Sequence, residues 1–411
     1  MRHLITIWVC KLVYWFLRRT GRHGAALPGL IAEKMDPKLI NRLQKLPEGL
    51  IVITGTNGKT TTTHLVAEVL KKMGKRVFTN HSGSNMTRGI LSSIVRNSKL
   101  NGRLPYDVAV LELDEAYAAK LSPILKPKAS ILTNVLRDQL DRFGEIDYTA
   151  KLLMRLAANT TDLVVYNACD PRLVYTPKNT KAKTISYGYV QNLAKNFPVD
   201  DNWHSEKVTA VPQTDYSLAA ISASKIGLLA KNNKMVVDRS KLPGVHNALN
   251  LSGVIALINE LYPESKVDFG NLKPPYGRGE EITVGDRTYI LQLVKNPAGF
   301  SVAMGVEPNL PALIIINDSI ADSRDVSWLW DVDVEQLSKR HALETSGTRA
   351  YDMANRLRYS DIGVSNIDVD IKNSIQHFVK HYERGVIFLT YTAMLQTRKI
   401  MQKLSRERRR K

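Results

Sequence analysis

The stretch "IVITGTNGKTTTTHLV", residues 51–66, joins an apolar, strand-like run to a helix-like run through a turn with two glycines. Gly55 and Gly58 allow a tight turn, and a helix beginning after it would present backbone N–H groups and its positive dipole end to an anion. Lys59 can reach phosphates, and the Thr60 hydroxyl can ligate Mg²⁺. The pattern predicts a phosphate-binding loop; an ordinary strand–turn–helix with an exposed lysine is the alternative.

The spacing of this loop differs from the common phosphate-binding pattern G-x-x-x-x-G-K-[ST]. Ile53 stands where the first glycine of that pattern belongs. A shorter loop can still bind phosphate, because the binding requires the turn and the backbone donors rather than one fixed spacing.

The composition limits the number of domains, the kind of partner and the compartment that the chain suits. A chain of 411 residues, 44% hydrophobic, is long enough for two or three packed domains. Its formal charge of +19 indicates an anionic partner, which charge alone leaves open among nucleic acid, phosphorylated substrate and acidic lipid. The two cysteines, Cys10 and Cys169, exclude a disulfide framework, suit a reducing cytoplasm and form no CxxC pair for zinc.

Alternating strand-like and helix-like runs predict an α/β protein with a parallel sheet. The apolar strand candidates are 49–55, 75–80, 107–114, 129–135 and 162–168. A second α/β unit begins near residue 285, with strand candidates at 287–294, 311–318 and 385–391. Between the two units, residues 185–240 are polar and irregular in pattern, which predicts an insertion or peripheral segment.

The N-terminal stretch "MRHLITIWVCKLVYWFLRRTGRHG", residues 1–24, is interrupted by Lys11 and too short to span a bilayer. It also lacks a signal-peptide cleavage site. An amphipathic helix with aromatic and basic residues can lie among lipid headgroups. The alternative is a helix packed on the protein's own core.

Four further motifs, together with "GTNGKTTT" (55–62), resemble the Mur ligase superfamily, the ATP-dependent ligases that join amino acids to peptidoglycan precursors or to folate. In that family the phosphate loop has this shorter form. The other motifs are "LELDEA" (111–116), "TNVLRDQLDRFGEID" (133–147), "YNACDP" (166–171) and "GVHNALN" (244–250). The resemblance implies a central parallel-sheet ATPase domain followed by a Rossmann-like C-terminal α/β domain.

The resemblance also implies site residues. It implies Mg²⁺ binding by Thr60 and Glu112, of which Glu112 is catalytic. The residues implied to bind ATP are Gly55, Thr56, Asn57, Gly58, Lys59, Thr60, Thr61, Asn134, Asn167, His246, Asn247 and Arg278. The alternatives are structural: a solvated acidic strand end for Glu112, a turn former at Asn134, a helix cap at His246 and Asn247, and a surface salt bridge for Arg278.

Two departures from the family pattern concern the metal and the nucleotide turn. Gln139 stands at the place of a metal-binding histidine, and Cys169 replaces an aspartate in the nucleotide turn. The neighbouring Asp138 and Asp141 are more typical of helix N-terminal charges than of metal ligands. Lys151 lies too close to Gln139 to match the carbamoylated lysine of other Mur ligases.

Two branches of the superfamily fit the short segment of about fifty residues before Gly55, which is roughly half the usual domain size. They are the folylpolyglutamate synthases and the MurT family, the ligase subunits of lipid II isoglutaminyl synthase. The segments that resemble MurT are "PPYGRGEEI" (274–282), "LVKNPAGF" (293–300), "DVSWLWDVDVE" (325–335), "GTRAYDMANRLRYSDI" (347–362) and "FLTYTAMLQTRK" (388–399).

This resemblance implies three parts: an N-terminal helix and lead-in over 1–45, a central ATP-binding domain over 46–270, and a MurT-type domain over 280–411. MurT proteins commonly carry a four-cysteine zinc ribbon in the middle domain. Residues 185–240 contain no cysteine, so zinc is not expected.

The implied reaction is ATP-dependent amidation of the D-glutamate α-carboxylate of lipid II to D-isoglutamine, through an acyl phosphate. Neither cysteine suits a glutaminase nucleophile, so the resemblance implies a separate GatD-like glutaminase, whose catalytic histidine Asp325 would orient. A helix-capping role is the alternative for Asp325.

The resemblance further implies that the protein acts in the cytoplasm, or at the inner face of the membrane where lipid II lies. No nucleic acid partner is expected. The competing hypotheses are another Mur-type ligase, such as a folylpolyglutamate synthase, and a basic non-catalytic ATP-binding protein that docks on membrane or nucleic acid.

Overall fold

The structure, a computed structural model, describes residues 2–19, 26–80, 86–136, 146–197, 210–231, 233–239, 242–322 and 324–408. The contacts within the chain divide it into two compact units. The first unit holds the described residues up to 239 together with 247–272. The second holds 242–246 and the described residues from 273 onward. The domain boundaries expected from the sequence stay predictions.

A largely parallel sheet forms the centre of the first unit. Within the described ranges, its strands are β1 (Leu50–Thr54), β2 (Val77–Thr79), β3 (Val108–Glu112), β4 (Ala129–Leu132), β5 (Leu163–Asn167), β6 (Lys183–Tyr189), β7 (Tyr216–Ile221), β8 (Lys225–Ala230) and β9 (Asn233–Asp238). Their order is β2-β3-β1-β4-β5-β6-β7-β8-β9. Neighbouring strands from β2 to β7 are parallel, and β8 pairs antiparallel with both β7 and β9. The predicted parallel sheet is confirmed.

Helices accompany this sheet and bury its central strands. They are α1 (Arg2–Arg19), α2 (Ala26–Met35), α3 (Lys59–Lys72), α4 (Thr87–Asn97), α5 (Glu115–Leu125), α6 (Ile146–Asn159) and α7 (Val245–Leu261), with short 3-10 helices at Pro37–Arg42, Thr176–Asn179 and Gln191–Asn196. All five residues of β1 are buried, as its unbroken apolar sequence requires in a parallel sheet covered on both faces. Among the described helices, none has the length and apolar content needed to cross a bilayer.

The prediction of an irregular segment over 185–240 is wrong for much of the part that the structure describes. Strand β6 adds to the parallel sheet, and β7, β8 and β9 extend it as two antiparallel hairpins. Each hairpin strand has only six residues, and the turns between them are polar. Short strands that alternate with polar turns give a weak period-2 pattern, which explains why the sequence reads as irregular.

The second unit is built on another mixed sheet. Its strands, within the described residues, are β10 (Arg278–Val284), β11 (Arg287–Leu293), β12 (Ala312–Ile315), β13 (Leu343–Ser346), β14 (Asn366–Asp368) and β15 (Arg384–Leu389). Their order is β10-β11-β15-β12-β13-β14, and every pair except β10-β11 is parallel. The helices are α8 (Pro297–Met304), α9 (Ala350–Arg358), α10 (Ile371–His381) and α11 (Tyr391–Arg408), with 3-10 helices at Ser327–Asp331 and Glu335–Lys339. The predicted C-terminal α/β unit is confirmed.

A buried arginine stabilises one edge of this second unit. The Arg340 guanidinium donates to the carbonyl oxygens of Met304 and Val306 through one nitrogen, at 2.9 and 3.0 Å. Its other terminal nitrogen donates to the carbonyls of Glu307 and Leu310, at 2.9 and 2.7 Å. One side chain thus satisfies four carbonyl groups in the connection between α8 and β12.

Replacing this arginine should destabilise the fold. We expect Arg340→Met to lower the free energy of unfolding by about 3–5 kcal/mol, because each buried acceptor left unpaired costs roughly 1–3 kcal/mol. Denaturant unfolding followed by circular dichroism measures the change. Arg358→Met, at an exposed position of α9, is the matched control and should change stability by less than about 0.5 kcal/mol. Equal losses in the two variants would contradict the structural role of Arg340.

Candidate nucleotide-binding site

The loop between β1 and α3 can be made only with glycine at its first position. Gly55 has a φ of +128°, and a Cβ there would lie 2.3 Å from Thr133 Oγ1 and 2.8 Å from the Asn134 carbonyl oxygen. Gly58, at a φ of +84°, is the residue before α3 and accepts the backbone N–H of Thr62 at 2.8 Å. The turn therefore directs the first helical turn, with its N–H groups and positive dipole end, toward the carboxyl edge of the sheet.

The segment after β4 holds this loop in place. Asn134 accepts the Asn57 backbone N–H at 2.8 Å and donates to the Asn57 carbonyl at 3.1 Å. The Thr133 hydroxyl also donates to that carbonyl, at 2.8 Å. Thr56 is tied to the backbone of Leu136 by its hydroxyl, which accepts at 3.1 Å and donates at 3.3 Å. Asn134 thus supports the loop in this structure, and its contact with a nucleotide stays a prediction.

Lys59 is folded back against its own loop. Its ammonium contacts the Gly55 carbonyl, donates to the Thr56 carbonyl at 3.1 Å, and lies 3.2 Å from both carboxylate oxygens of Glu115. Lysine and glutamate are both buried, at 8% and 3% exposure. A buried ion pair resists loss of either partner, so Lys59 needs another anion before it can leave Glu115. Sequence reasoning missed Glu115, although it stands in the quoted "LELDEA" motif.

Thr60 and Glu112 form the second polar pair of the site. The Thr60 hydroxyl donates to Glu112 Oε1 at 2.9 Å, which joins the start of α3 to the end of β3. Asn80 fixes the backbone of Glu112, accepting its N–H at 3.0 Å and donating to its carbonyl at 2.8 Å. The two predicted metal ligands are therefore in direct contact, and the backbone of Glu112 is held from the neighbouring strand.

This pair fits the ligand chemistry of Mg²⁺. A hydroxyl and a carboxylate are hard oxygen donors, and Mg²⁺ in nucleotide sites is commonly held by one or two protein side chains together with phosphate oxygens. Among the described residues, no group of three or more His, Cys, Asp or Glu side chains converges as a metal site. Thr60 and Glu112 could hold the ion only together with a bound nucleotide.

The turn after β5 braces the same edge of the sheet. Asn167 donates to the Thr133 carbonyl at 3.0 Å and accepts the N–H of Cys169 at 3.1 Å. Asp170 accepts the N–H of Val135 at 2.6 Å. Burial raises the pKa of Cys169, and likewise that of Cys10, to about 11, so both are thiols rather than thiolates at neutral pH.

The remaining predicted nucleotide contacts lie on two units. Asn247 is buried near the start of α7, and Asn250 on the next turn lies against the loop, because a Cβ on Gly58 would be 2.5 Å from Asn250 Oδ1. His246 and Arg278 belong to the second unit. Asp138, Gln139 and Asp141 lie outside the described residues.

The second unit carries a polar cluster that sequence reasoning did not assign. It lies where β12, β13 and β15 end, and we call it the strand-end cluster: Asn317, Asp318, Asp322, Thr348, Arg349 and Thr392. Arg349 pairs with Asp318 at 2.8 Å. Buried Asp322 accepts the backbone N–H of Thr392 at 2.7 Å. Parallel strands present their loops at this edge, which is the usual place for ligands in α/β folds.

Asp325 follows Asp322 of this cluster by three residues in the sequence. It is exposed and precedes the 3-10 helix at Ser327–Asp331. Its carboxylate accepts the backbone N–H of Ser327 at 2.8 Å. Hydrogen bonds from Ser327 lower the pKa of Asp325, so it is ionised at neutral pH. This bond closes a local turn one residue before the N-cap Val326, so Asp325 does not cap the helix itself. The exposed carboxylate keeps acceptor capacity for an external donor.

Known proteins resemble the chain over most of its length. The family described as "Mur ligase middle domain" matches residues 53–258, and "MurT ligase C-terminal" matches residues 293–394. Two relatives are named "Lipid II isoglutaminyl synthase (glutamine-hydrolyzing) subunit MurT". The one from Streptococcus pneumoniae (strain ATCC BAA-255 / R6) is 29% identical over 94% of each chain. The one from Staphylococcus aureus (strain COL) is 28% identical over 89% of each chain.

Solved structures share the fold. The MurF ligase from Thermotoga maritima in complex with ADP superposes with a TM-score of 0.70 and 17% identity, covering 93% of this chain and 85% of that one. E. coli FolC in complex with DHPP and ADP superposes with a TM-score of 0.63 and 13% identity. The match covers 89% of this chain and 92% of that one. At these identities the structures show the fold alone. Together the findings confirm the predicted fold class and the predicted resemblance to MurT.

The Lys59–Glu115 pair generates a prediction about ligand-linked stability. Glu115→Gln should lower the free energy of unfolding of the ligand-free protein by about 1–3 kcal/mol, because it leaves a buried ammonium without its counter-charge. Added Mg-ATP should then stabilise the variant more than the wild type, since phosphate replaces the lost charge. Thermal unfolding with and without Mg-ATP measures both effects.

The control for this experiment is Glu48→Gln. Glu48 also pairs with a lysine, Lys75, but it lies just before β1, at the end of the strand opposite the loop. Its substitution should leave the ATP-induced stabilisation at the wild-type value. An ATP-induced stabilisation that is the same in both variants would show that Glu115 does not compete with phosphate for Lys59.

Proposed function

The chain belongs to the Mur ligase family, and we propose that it is the ligase subunit of a lipid II isoglutaminyl synthase. It would use ATP to amidate the α-carboxylate of D-glutamate in the lipid II stem peptide. The observation that carries the proposal is the loop at residues 55–58, with Lys59, Thr60 and Glu112 gathered beside it. The match of residues 293–394 to the MurT ligase C-terminal family supports the choice of branch.

The proposed reaction has two steps. A carboxylate does not react with ammonia directly, because its oxygen is a poor leaving group. In the first step a carboxylate oxygen attacks the γ-phosphorus of ATP, and ADP leaves, which gives an acyl phosphate. In the second step ammonia attacks the acyl carbon, phosphate leaves and the nitrogen loses a proton to give the amide. The protein contributes mainly positioning and charge stabilisation.

The chain's own residues have distinct parts in the first step. The N–H groups at the start of α3 bind phosphate oxygens, and Lys59 turns from Glu115 to the phosphates. Thr60 and Glu112 would hold Mg²⁺, which would supply charge neutralisation to the phosphates. Asn134, Thr133 and Asn80 keep the loop and Glu112 fixed, so that little reorganisation accompanies the transfer.

The catalytic part of Glu112 can be tested directly. We expect Glu112→Gln to lower ATP-dependent amidation of lipid II at least 100-fold, because the carboxylate at the metal pair is lost. Turnover is measured as ADP release and amidated lipid II, with glutamine and a GatD-like glutaminase present. Glu68→Gln, which alters a pair with His64 on the surface of α3, is the control and should keep wild-type turnover. Full turnover by Glu112→Gln would contradict the proposed site.

Ammonia must come from outside this chain. A glutaminase needs an activated cysteine, and burial keeps both cysteines protonated. We therefore infer a separate GatD-like glutaminase as the partner, and the MurT relatives are themselves named as subunits. Asp325 is exposed and ionised, so it can accept a hydrogen bond from a histidine of that partner and complete its triad.

The chain offers a matched control for Asp325. Asp333 is also exposed, and it accepts the N–H of Glu335 at 3.1 Å ahead of a 3-10 helix, as Asp325 does for Ser327. We expect Asp325→Ala to keep ATP binding but to lower glutamine hydrolysis and amidation in the complex by about 100-fold or more. Asp333→Ala removes the same local turn and should keep both activities. If the two variants behave alike, Asp325 stabilises only its local turn.

A folylpolyglutamate synthase is the alternative within the family. The likeness to FolC, at 13% identity, supports the shared fold and does not favour folate as substrate. The C-terminal family match favours lipid II. An assay that supplies glutamate and a folate in place of lipid II, ammonia and the glutaminase distinguishes the two reactions.

A further inference from the structure

We propose that helix α1 docks the protein on an anionic lipid surface through one exposed face. This face, which we call the α1 face, consists of Ile5, Trp8, Val9, Leu12, Trp15 and Phe16. The proposal goes beyond the amidation reaction and does not require it, because any anionic bilayer offers the same chemistry. It assigns to the first helix a second role besides packing on the core.

The opposite side of α1 is built into the first unit. Thr6, Ile7 and Cys10 are completely buried. From the α1 face itself, Trp8 donates its indole N–H to the Leu100 carbonyl at 2.8 Å, and Lys11 next to it in sequence donates to the Arg96 carbonyl at 3.4 Å. These contacts fix the orientation of the helix, so the α1 face is presented to solvent by the fold itself.

The α1 face is strongly apolar and exposed. Leu12 is 67% exposed, Phe16 60%, and Trp8 and Trp15 52% each. Leu100, at 69% exposure, extends the patch beside Trp8 through the hydrogen bond described above. Large contiguous apolar patches are uncommon on soluble proteins and mark surfaces that something covers. A helix that is apolar on both sides needs a second apolar surface besides the core.

Basic residues border this patch. Helix α1 contains no Asp or Glu. The Arg19 guanidinium lies 4.6 Å from the centre of the Trp15 ring, and the turn that carries Leu100 adds Lys99 and Arg103. Two carboxylates in and just after the adjoining helix α2 have partners: Asp36 contacts His3, and Glu33 pairs with Arg88 at 2.8 Å.

Tryptophan beside lysine and arginine is the composition that suits the headgroup region of an anionic bilayer. Apolar side chains can enter the acyl boundary while the cations remain among the phosphates. Charge also decides between this partner and a second copy of the chain. The formal charge is +19, so two copies repel each other, whereas an anionic surface attracts each copy.

Vesicle binding tests the proposal with the full chain. Vesicles of phosphatidylglycerol and phosphatidylcholine in equal amounts are compared with vesicles of phosphatidylcholine alone, at low and high salt. We expect co-sedimentation with the anionic vesicles, weaker binding at high salt, and quenching of tryptophan fluorescence by lipids brominated near the headgroup. Leu12→Glu and Phe16→Glu should each weaken binding at least about tenfold, because each places a carboxylate in the acyl boundary.

Val236→Glu is the matched control. Val236 is 70% exposed on β9, so the substitution changes the same kind of side chain and the same charge as Leu12→Glu. It should keep wild-type vesicle binding, and all three variants should keep wild-type ATP binding and unfolding temperature. If any α1 variant loses stability, brominated-lipid quenching decides: Trp15→Phe should lower the quenching and Trp330→Phe, at a similarly exposed position outside α1, should not.

Three outcomes would overturn the proposal. They are no binding of the wild type to anionic vesicles, equal binding by Leu12→Glu and Val236→Glu, and self-association that Leu12→Glu abolishes, which would assign the α1 face to a second copy. Because vesicle binding is measured without substrate, its failure would leave the proposed amidation untouched.

Discussion

The backbone at Gly55 is the constraint from which the candidate site follows. Strand β1 is buried between β3 and β4. Where the chain leaves β1, Thr133 and Asn134 lie directly against its backbone. A Cβ at Gly55 has no space there. Because the chain can turn at that point, α3 starts directly at the carboxyl edge of the sheet. The helix start, Lys59 and Thr60 then reach the same small region, where β3 delivers Glu112.

The polar and charged groups of the candidate site are paired with one another. Lys59 has its charge compensated by Glu115 and by loop carbonyls, and Thr60 is hydrogen-bonded to Glu112. A buried ammonium without partners would cost several kcal/mol, so these contacts allow the loop to be preformed. A bound polyphosphate can replace Glu115 as the counter-charge of Lys59 without leaving either group in an apolar environment. In the proposed site, nucleotide binding would exchange one set of ionic contacts for another.

The sequence predicts the features of this site that depend on local pattern. The glycine turn, the lysine and the threonine are contiguous, and Glu112 follows an apolar strand, so these residues could be placed from spacing and family resemblance. Glu115 was missed because its partner stands 56 positions earlier in the chain, and only the fold brings the two together. The hydrogen bonds by which Asn134 holds the loop were missed for the same reason, because they too join residues far apart in the chain. Strands β7 to β9 were missed because six-residue strands between polar turns carry little periodic signal.

Helix α1 bears on two predictions that were set against each other: packing on the core is present in the structure, and contact with lipid is proposed from the opposite face. Packing on the core accounts for Thr6, Ile7 and Cys10. It leaves Trp8, Leu12, Trp15 and Phe16 each more than half exposed. A helix that only had to pack on the core would gain solubility from polar residues at those positions. The proposed lipid contact would account for the aromatic and aliphatic side chains there, bordered by cations. If the substrate is lipid-linked, as the proposed function requires, that contact would keep the ATP site close to the surface on which the substrate diffuses.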